Sequence, residues 1–363
     1  MCNPPSTSAT PPPAKNSRSS RSSKSLPSED RLVLPQHEAI VGRTGEIEVI
    51  DTHTHIHSTF AAYRERYPQG KHTTVRDFVK ATLLDPASNQ VKKVVDVWCE
   101  AQVPTDRSEW IETVDTLTQL DGFDYHYVIG CHPHDAQNYT VELEQAFLSA
   151  FSRAECVGWG EIGLDYHYDN SPREIQQDVL RRQLRAFLKS GLDKALTIHT
   201  READGDIYDI LTQELPVSTR IHIHCFTDTP ELASKLLSHF PNLHIGVTGV
   251  VTFSSNINTA QVLRDMITNS HDAPRFLLES DAPFMLPANM GPNSKLGMTS
   301  KQKFPFCHSG ALPWTAEHIA KVFNEADSAR VGEEENPDDV KAQWDVIRVL
   351  QVARDNCQRV YRI

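Results

Sequence analysis

The stretch "IEVIDTHTHIH", residues 47–57, begins as an apolar, β-rich run and ends on three histidines spaced two apart. Its first seven residues, "IEVIDTH" (47–53), have the length and composition of a buried parallel strand. Runs of the same kind recur down the chain: "KKVVDVW" (92–98), "YHYVIGC" (125–131), "CVGWGEIGLD" (156–165), "ALTIH" (195–199), "RIHIHC" (220–225), "LHIGVTG" (243–249) and "RFLLESD" (275–281). Amphipathic stretches such as "TVELEQAFLSAF" and "REIQQDVLRRQLRAFLKS" separate most of them. Strands alternating with helical crossovers predict an α/β fold, a (β/α)8 TIM-like barrel. The irregular segment after the first run contributes least to that count. A doubly wound open sheet is the alternative, and no Gly-rich phosphate turn supports it.

The 363 residues carry 36 Lys and Arg against 48 Asp and Glu, a net charge of -12. That balance argues against a broad basic surface for coating nucleic acid. It leaves a nucleic-acid substrate open, because bound divalent metals supply positive charge locally. The 7 cysteines are odd in number and form no CxxC, so neither a disulfide framework nor a structural zinc knuckle is expected. The expected location is a reducing compartment, cytoplasmic and/or nuclear. No apolar run approaches the ~20 residues of a membrane span. Residues 1–45 read as a disordered tail, Ser/Pro-rich over 1–30 and basic through Lys15, Arg18, Arg21 and Lys24. Residues 46–363 read as the barrel, with loop insertions at 282–313 and at the acidic run 331–339, "VGEEENPDD".

In such a barrel the active site lies at the C-terminal ends of the strands. Metal-type ligands gather there: His53 and His55 on the first run, Glu161 on the fourth, His199 on the fifth, His224 on the sixth and Asp281 on the eighth. Strand residues i and i+2 share a face ~6.5 Å apart, so His53 and His55 can meet one ion at ~2.1 Å each. His57 would lie ~13 Å from His53 and falls outside the ligand set. His222 reads as a packed or hydrogen-bonded barrel histidine. A Glu between two ligand groups can bridge two ions, which together suit phosphodiester hydrolysis by a two-metal hydroxide mechanism. Asp281 can hold one ion and orient the attacking water, or take its proton. In "CHPHDA", His132 and His134 either donate to an anionic oxygen or are loop histidines with no role.

Six ordered motifs, "DTHTH", "GCHPHDA", "GEIGLDYH", "IHTREA", "HCFTD" and "LLESDAPFM", resemble those of the TatD family of metal-dependent deoxyribonucleases, within the amidohydrolase-like superfamily. The resemblance covers roughly residues 47–361. It implies one metal on His53, His55, Glu161 and Asp281, a second on Glu161, His199 and His224, and phosphate contacts from His132 and His134. Glu161 and Asp281 are then the catalytic pair, and the cofactors two divalent ions (Mg, Mn or Zn). The implied reaction is hydrolysis of DNA, often from a 3′ end. Asp228 stands where the family motif has Gly. The loop after "DAPFM" is longer than usual, with Lys295, Lys301, Lys303 and His308 as its basic residues, which puts substrate choice in doubt. These features and the basic tail resemble a fungal branch described as partners of an anaphase-promoting-complex subunit. A monomer is expected. A metal-dependent hydrolase of a non-nucleic ester or amide, and a barrel serving mainly as a binding partner, are the alternatives.

Overall fold

The computed structural model describes residues 26–43, 46–100, 107–168, 170–268, 273–291, 296, 302–334 and 343–363. All of the expected runs are strands: β1 (Val49–Thr54), β2 (Val91–Trp98), β3 (Asp124–Ile129), β4 (Cys156–Asp165), β5 (Ala195–Arg201), β6 (Ile221–Ile223), β7 (Leu243–Val247) and β8 (Phe276–Leu278). They form one parallel 8-stranded sheet in chain order. No ladder joins β8 to β1, yet the chain closes there. Asp281 N donates to His53 O at 2.9 Å, Thr52 Oγ1 to Leu278 O at 3.1 Å, and Ser280 N to Asp51 Oδ1 at 2.9 Å. The result is a nearly closed TIM-like barrel.

The irregular segment after β1 holds two helices, α1 (Ile56–Arg66) and α2 (Val75–Thr82). The remaining strands are joined through α3 (Arg107–Thr118), α4 (Val141–Phe151), α5 (Arg173–Ser190), α6 (Asp204–Glu214), α7 (Pro230–His239) and α8 (Ile257–Thr268). After β8 come α9 (Leu312–Glu334) and α10 (Val346–Tyr361). Alternate strand residues explain the layering. Leu243, Ile245 and Val247 of β7 pack outward in the main core beneath the helices. His244 and Gly246 face the barrel axis, and a Cβ at Gly246 would collide with Glu279 and His222 across it.

The first 25 residues, with the tail's lysines and arginines, lie outside the described residues. Residues 26–43, which the composition assigned to the tail, are folded. Leu32, Leu34 and Ile40 are each buried in apolar clusters, and Tyr63 Oη donates to Glu29. Three large aliphatics at spacings of two and six residues are enough to anchor this segment, and the Ser/Pro bias stops before them. In the 282–313 loop, Lys295 and Lys301 lie outside the described residues. Of the acidic run, α9 reaches Glu334, and 335–342 lie outside.

His308 is not a basic residue of the loop. It is buried, its Nε2–H donates to Leu32 O at 2.8 Å, and Nδ1 accepts from Gly310 N at 3.1 Å. Burial pushes its pKa down to about 4, from an ordinary 6.5. The unfolded chain therefore takes up a proton below pH ~6.5 that the folded chain refuses until about 4. The stability tied to His308 is fully present above pH ~6.5 and is lost as the pH falls toward 4. At pH 5 the loss is about 2 kcal/mol. Chemical denaturation at pH 7 and pH 5 should show a smaller fall for His308→Gln than for the parent chain, and equal falls would sink this assignment.

Candidate active site

The predicted ligands converge at the C-terminal mouth of the barrel on the two oxygens of one carboxylate. Glu161, 3% exposed in β4, turns Oε2 toward His53 Nε2 at 3.4 Å and His55 Nε2 at 4.0 Å. Its Oε1 lies 2.8 Å from His199 Nδ1 and 3.4 Å from both His224 Nε2 and His132 Nε2. Asp281 Oδ1 completes the first group, 3.4 Å from His55 Nε2 and 3.8 Å from His53 Nε2. The paired histidines of β1 behave as strand neighbours should, with Nε2 atoms 3.3 Å apart.

Local structure sets these directions. Asp96 of β2 accepts from Ile56 N at 2.8 Å and fixes the chain where His55 leaves the strand. Asp281 takes a left-handed conformation, φ 49°, held by its own N–H to His53 and by Phe284 N to its carbonyl. Gly163 in β4 permits close approach of β5, because a Cβ there would collide with the His199 carbonyl.

The donor set fits divalent cations. Two ligand atoms ~2.1 Å from one ion, at 90–110° to each other, sit about 3.0–3.4 Å apart. The nitrogen–nitrogen and several nitrogen–oxygen spacings above fall at or near that range. The buried groups also set one another's protonation. Burial opposes a charge on His55, yet the Asp281 hydrogen bond raises its pKa to about 9. Burial likewise opposes a charge on His199, but Asp165 and Glu161 raise it to about 10. Burial alone would raise Glu161. The charge of His224, then charge and hydrogen bonding from His132, with a further hydrogen bond from His199, hold it well below the carboxylate range. His53, the most enclosed ring, is pushed down to about 4 by burial and by its neighbour His224. Cys225 also lies near His224 and Asp281, and burial raises its thiol well above the usual range.

The two histidines of "CHPHDA" differ. His132 Nδ1 accepts from His134 N at 3.2 Å, which leaves the proton on Nε2, facing Glu161. Burial lowers its pKa, and its Nε2–H is a donor at the floor of the mouth, beside Glu161 and His199. His134 is half-buried above it, with Nε2 2.8 Å from Asp165 Oδ2. His57 stands apart, its ring 5.5 Å from Trp98 and its Nε2 3.8 Å from Glu109.

Two carboxylates, Asp165 and Glu279, escaped the sequence reading, and a third, Asp228, entered it only as a departure from the motif. Asp165, in the quoted "GEIGLDYH", receives His134 and His199 on Oδ2 and the amides of His167 and Tyr168 on Oδ1. Asp228, in place of Gly, accepts from Thr200 Oγ1 at 2.8 Å and from Glu202 N at 2.9 Å. It therefore ties down the loop that follows His199. Glu279, fully buried on the barrel axis, has Oε2 2.8 Å from His222 Nε2 and 3.5 Å from His224 Nδ1. His222 Nδ1 in turn meets Tyr361 Oη at 2.8 Å. Its adjacency to Asp281 in "LLESD" was the one available signal for Glu279.

A parallel barrel with a carboxylate shared by two histidine groups at its mouth defines a metal-dependent hydrolase scaffold. The chain belongs to the family of TatD-related DNases, whose model matches residues 50–362. A human protein named 3'-5' RNA nuclease TATDN2 is 31% identical over 274 residues, 75% of this chain and 32% of its own length. The chain thus spans about a third of that relative. The Escherichia coli protein named 3'-5' ssDNA/RNA exonuclease TatD is 28% identical over 53% of this chain and 70% of its own. The crystal structure of the TatD homologue YJJV from Escherichia coli superposes with a TM-score of 0.58 at 20% identity, covering 86% of this chain and 98% of that one. That likeness speaks for the barrel alone.

Proposed function

We propose that this chain is a divalent-metal-dependent nuclease that removes nucleotides from the 3′ end of single-stranded DNA, using two metal ions. The division of Glu161 carries the reading: Oε2 faces His53 and His55, and Oε1 faces His199 and His224. His53, His55 and Asp281 would hold one ion, His199 and His224 the other, and Glu161 would bridge them. When bound, the ions supply Lewis acidity and lower the pKa of water near the scissile phosphate. The protein's own groups do the rest. Asp281, at the edge of the mouth, orients the attacking water and takes its proton. His132 offers its Nε2–H to a phosphate oxygen, and His134, anchored on Asp165, stands beside it. Two exposed aromatic rings flank the mouth: Tyr168, 5.4 Å from His134 with the Arg201 guanidinium 5.1 Å over its ring, and Phe284, three residues beyond Asp281. Base stacking on such rings is sequence-tolerant, as expected of a nuclease without base readout. The names of the human and Escherichia coli relatives support a 3′-to-5′ direction.

The test uses a linear single-stranded DNA labelled at either end, its circular form, and an RNA of the same sequence, each with Mg2+ or Mn2+. The expected result is early loss of the 3′ label, stepwise shortening of the 5′-labelled strand, and an intact circle. Circle cleavage at the linear rate would make the enzyme an endonuclease. Faster loss of RNA would reassign the substrate. No nucleic-acid cleavage together with hydrolysis of a phosphate-free ester would favour the carbonyl alternative.

A further inference from the structure

At the opposite end of the barrel is a cavity of about 850 Å³. Its wall is built from residues at the starts of four successive strands and from the last turns of α10. Lys194 precedes β5, Arg220 precedes β6, His244 is the second residue of β7, and Arg275 precedes β8. Arg359 and Arg362 close it from α10. Five cationic side chains thus face one carboxylate among the lining residues, Asp193, in a chain of net charge -12. Such a concentration is the reverse of the surface average and sets up a local positive potential.

The existing hydrogen bonds leave donors over. Asp193 is shared, its Oδ1 2.9 Å from Arg220 Nη2 and its Oδ2 bonded to Arg362. Lys194 donates to the carbonyls of Phe151 and Arg153, and Arg359 to Asn356. Arg220 is 8% exposed, and its Nη1 has no partner among the described residues. His244 is 3% exposed, and its Nε2 is likewise without one. An enclosed guanidinium beside two exposed ones, around a cavity with a single lining carboxylate, is an arrangement that takes an oxyanion with several acceptor oxygens. The volume lies within the range of small-molecule sites, and Phe187, Leu192 and Pro216 supply an apolar wall beside the charges.

We propose that this cavity binds a small phosphate monoester, held by Arg220, Arg359 and Arg362 with its organic portion against the apolar wall. The site is independent of the catalytic mouth and of the substrate assigned to it.

The full chain, stripped of metal with EDTA, should be titrated calorimetrically with inorganic phosphate, dAMP and deoxyadenosine. Phosphate and dAMP are expected to bind, and deoxyadenosine is not. Equal affinities for the first two would make the phosphate group itself the ligand, whereas tighter dAMP binding adds the organic portion. Arg359 and Arg362 are exposed, so the Arg359→Gln/Arg362→Gln chain should fold. It should bind at least about tenfold more weakly, a loss of about 1.4 kcal/mol, with metal-dependent nuclease activity unchanged. Glu161→Ala should bind as the parent does. The proposal is overturned by no binding at about 10 mM, roughly 50-fold above an expected Kd of about 0.2 mM. It is equally overturned if the double variant keeps full affinity or if Glu161→Ala loses it, which would place the anion in the catalytic mouth.

Discussion

Glu161→Ala is expected to lower nuclease activity by at least about 10³-fold, a rise of roughly 4 kcal/mol in the barrier. The reason is geometric. Among the described residues Glu161 turns one oxygen to each histidine group, Oε2 to His53 and Oε1 to His199 and His224. Alanine would leave His53, His55 and Asp281 as one incomplete set, and His199 and His224 as another. Metal content measured on the purified variant should fall below that of the parent, while the circular dichroism spectrum should not change. Glu161→Gln keeps the shape and removes the charge, so it separates loss of the ligand from loss of packing. Residual activity within tenfold of the parent in both variants would remove Glu161 from the centre of the mechanism.

The second large effect is expected at Glu279, which touches no substrate in the proposed reaction. Its carboxylate is fully buried between His222 and His224, and its Oε1 accepts the amide of Cys225. Burial would raise its pKa, but the charges of His222 and His224 hold it far below the carboxylate range. It faces His224 at Nδ1, and this leaves Nε2 directed at Glu161. Partners of this kind fix the tautomer and angle of a metal-binding imidazole and typically alter metal affinity 10- to 100-fold. Glu279→Ala should therefore cost about 3–5 kcal/mol of stability, because it removes a fully buried carboxylate from between His222, His224 and the Cys225 amide. Glu279→Gln retains an acceptor for the Cys225 amide and should recover much of that stability. Its affinity for the second metal should still be at least about tenfold weaker than the parent's. Parental metal affinity in Glu279→Gln would show that the carboxylate only packs the barrel axis.

Much of the architecture was legible because it rests on local periodicity. Each strand is a short β-rich run, and β1 carries His53 and His55 on one face because side chains alternate. The tail boundary was misjudged for the converse reason. Leu32, Leu34 and Ile40 lie close to a Ser/Pro-rich region, and only their contacts with distant helices show them to be core. His308 was read as a loop cation because a sequence gives residue type without burial. Its partner is Leu32, 276 residues away.

Glu279 and Asp165 mark the limit on the side of the site. Both sat in quoted motifs, but a carboxylate beside a Ser or a Tyr looks the same whether it is solvated or enclosed. Their roles come from partners far along the chain: Cys225, His222 and His224 for one, His134 and His199 for the other. The sequence alone determined which residue types arrive at the mouth of the barrel, since one strand's pleat decides that. Only the tertiary structure decided which oxygen of Glu161 faces which histidines, that His132 presents its Nε2–H, and that arginines gather at the far end. Each of those depends on side chains from different strands meeting across the closed sheet, and no local pattern encodes such meetings.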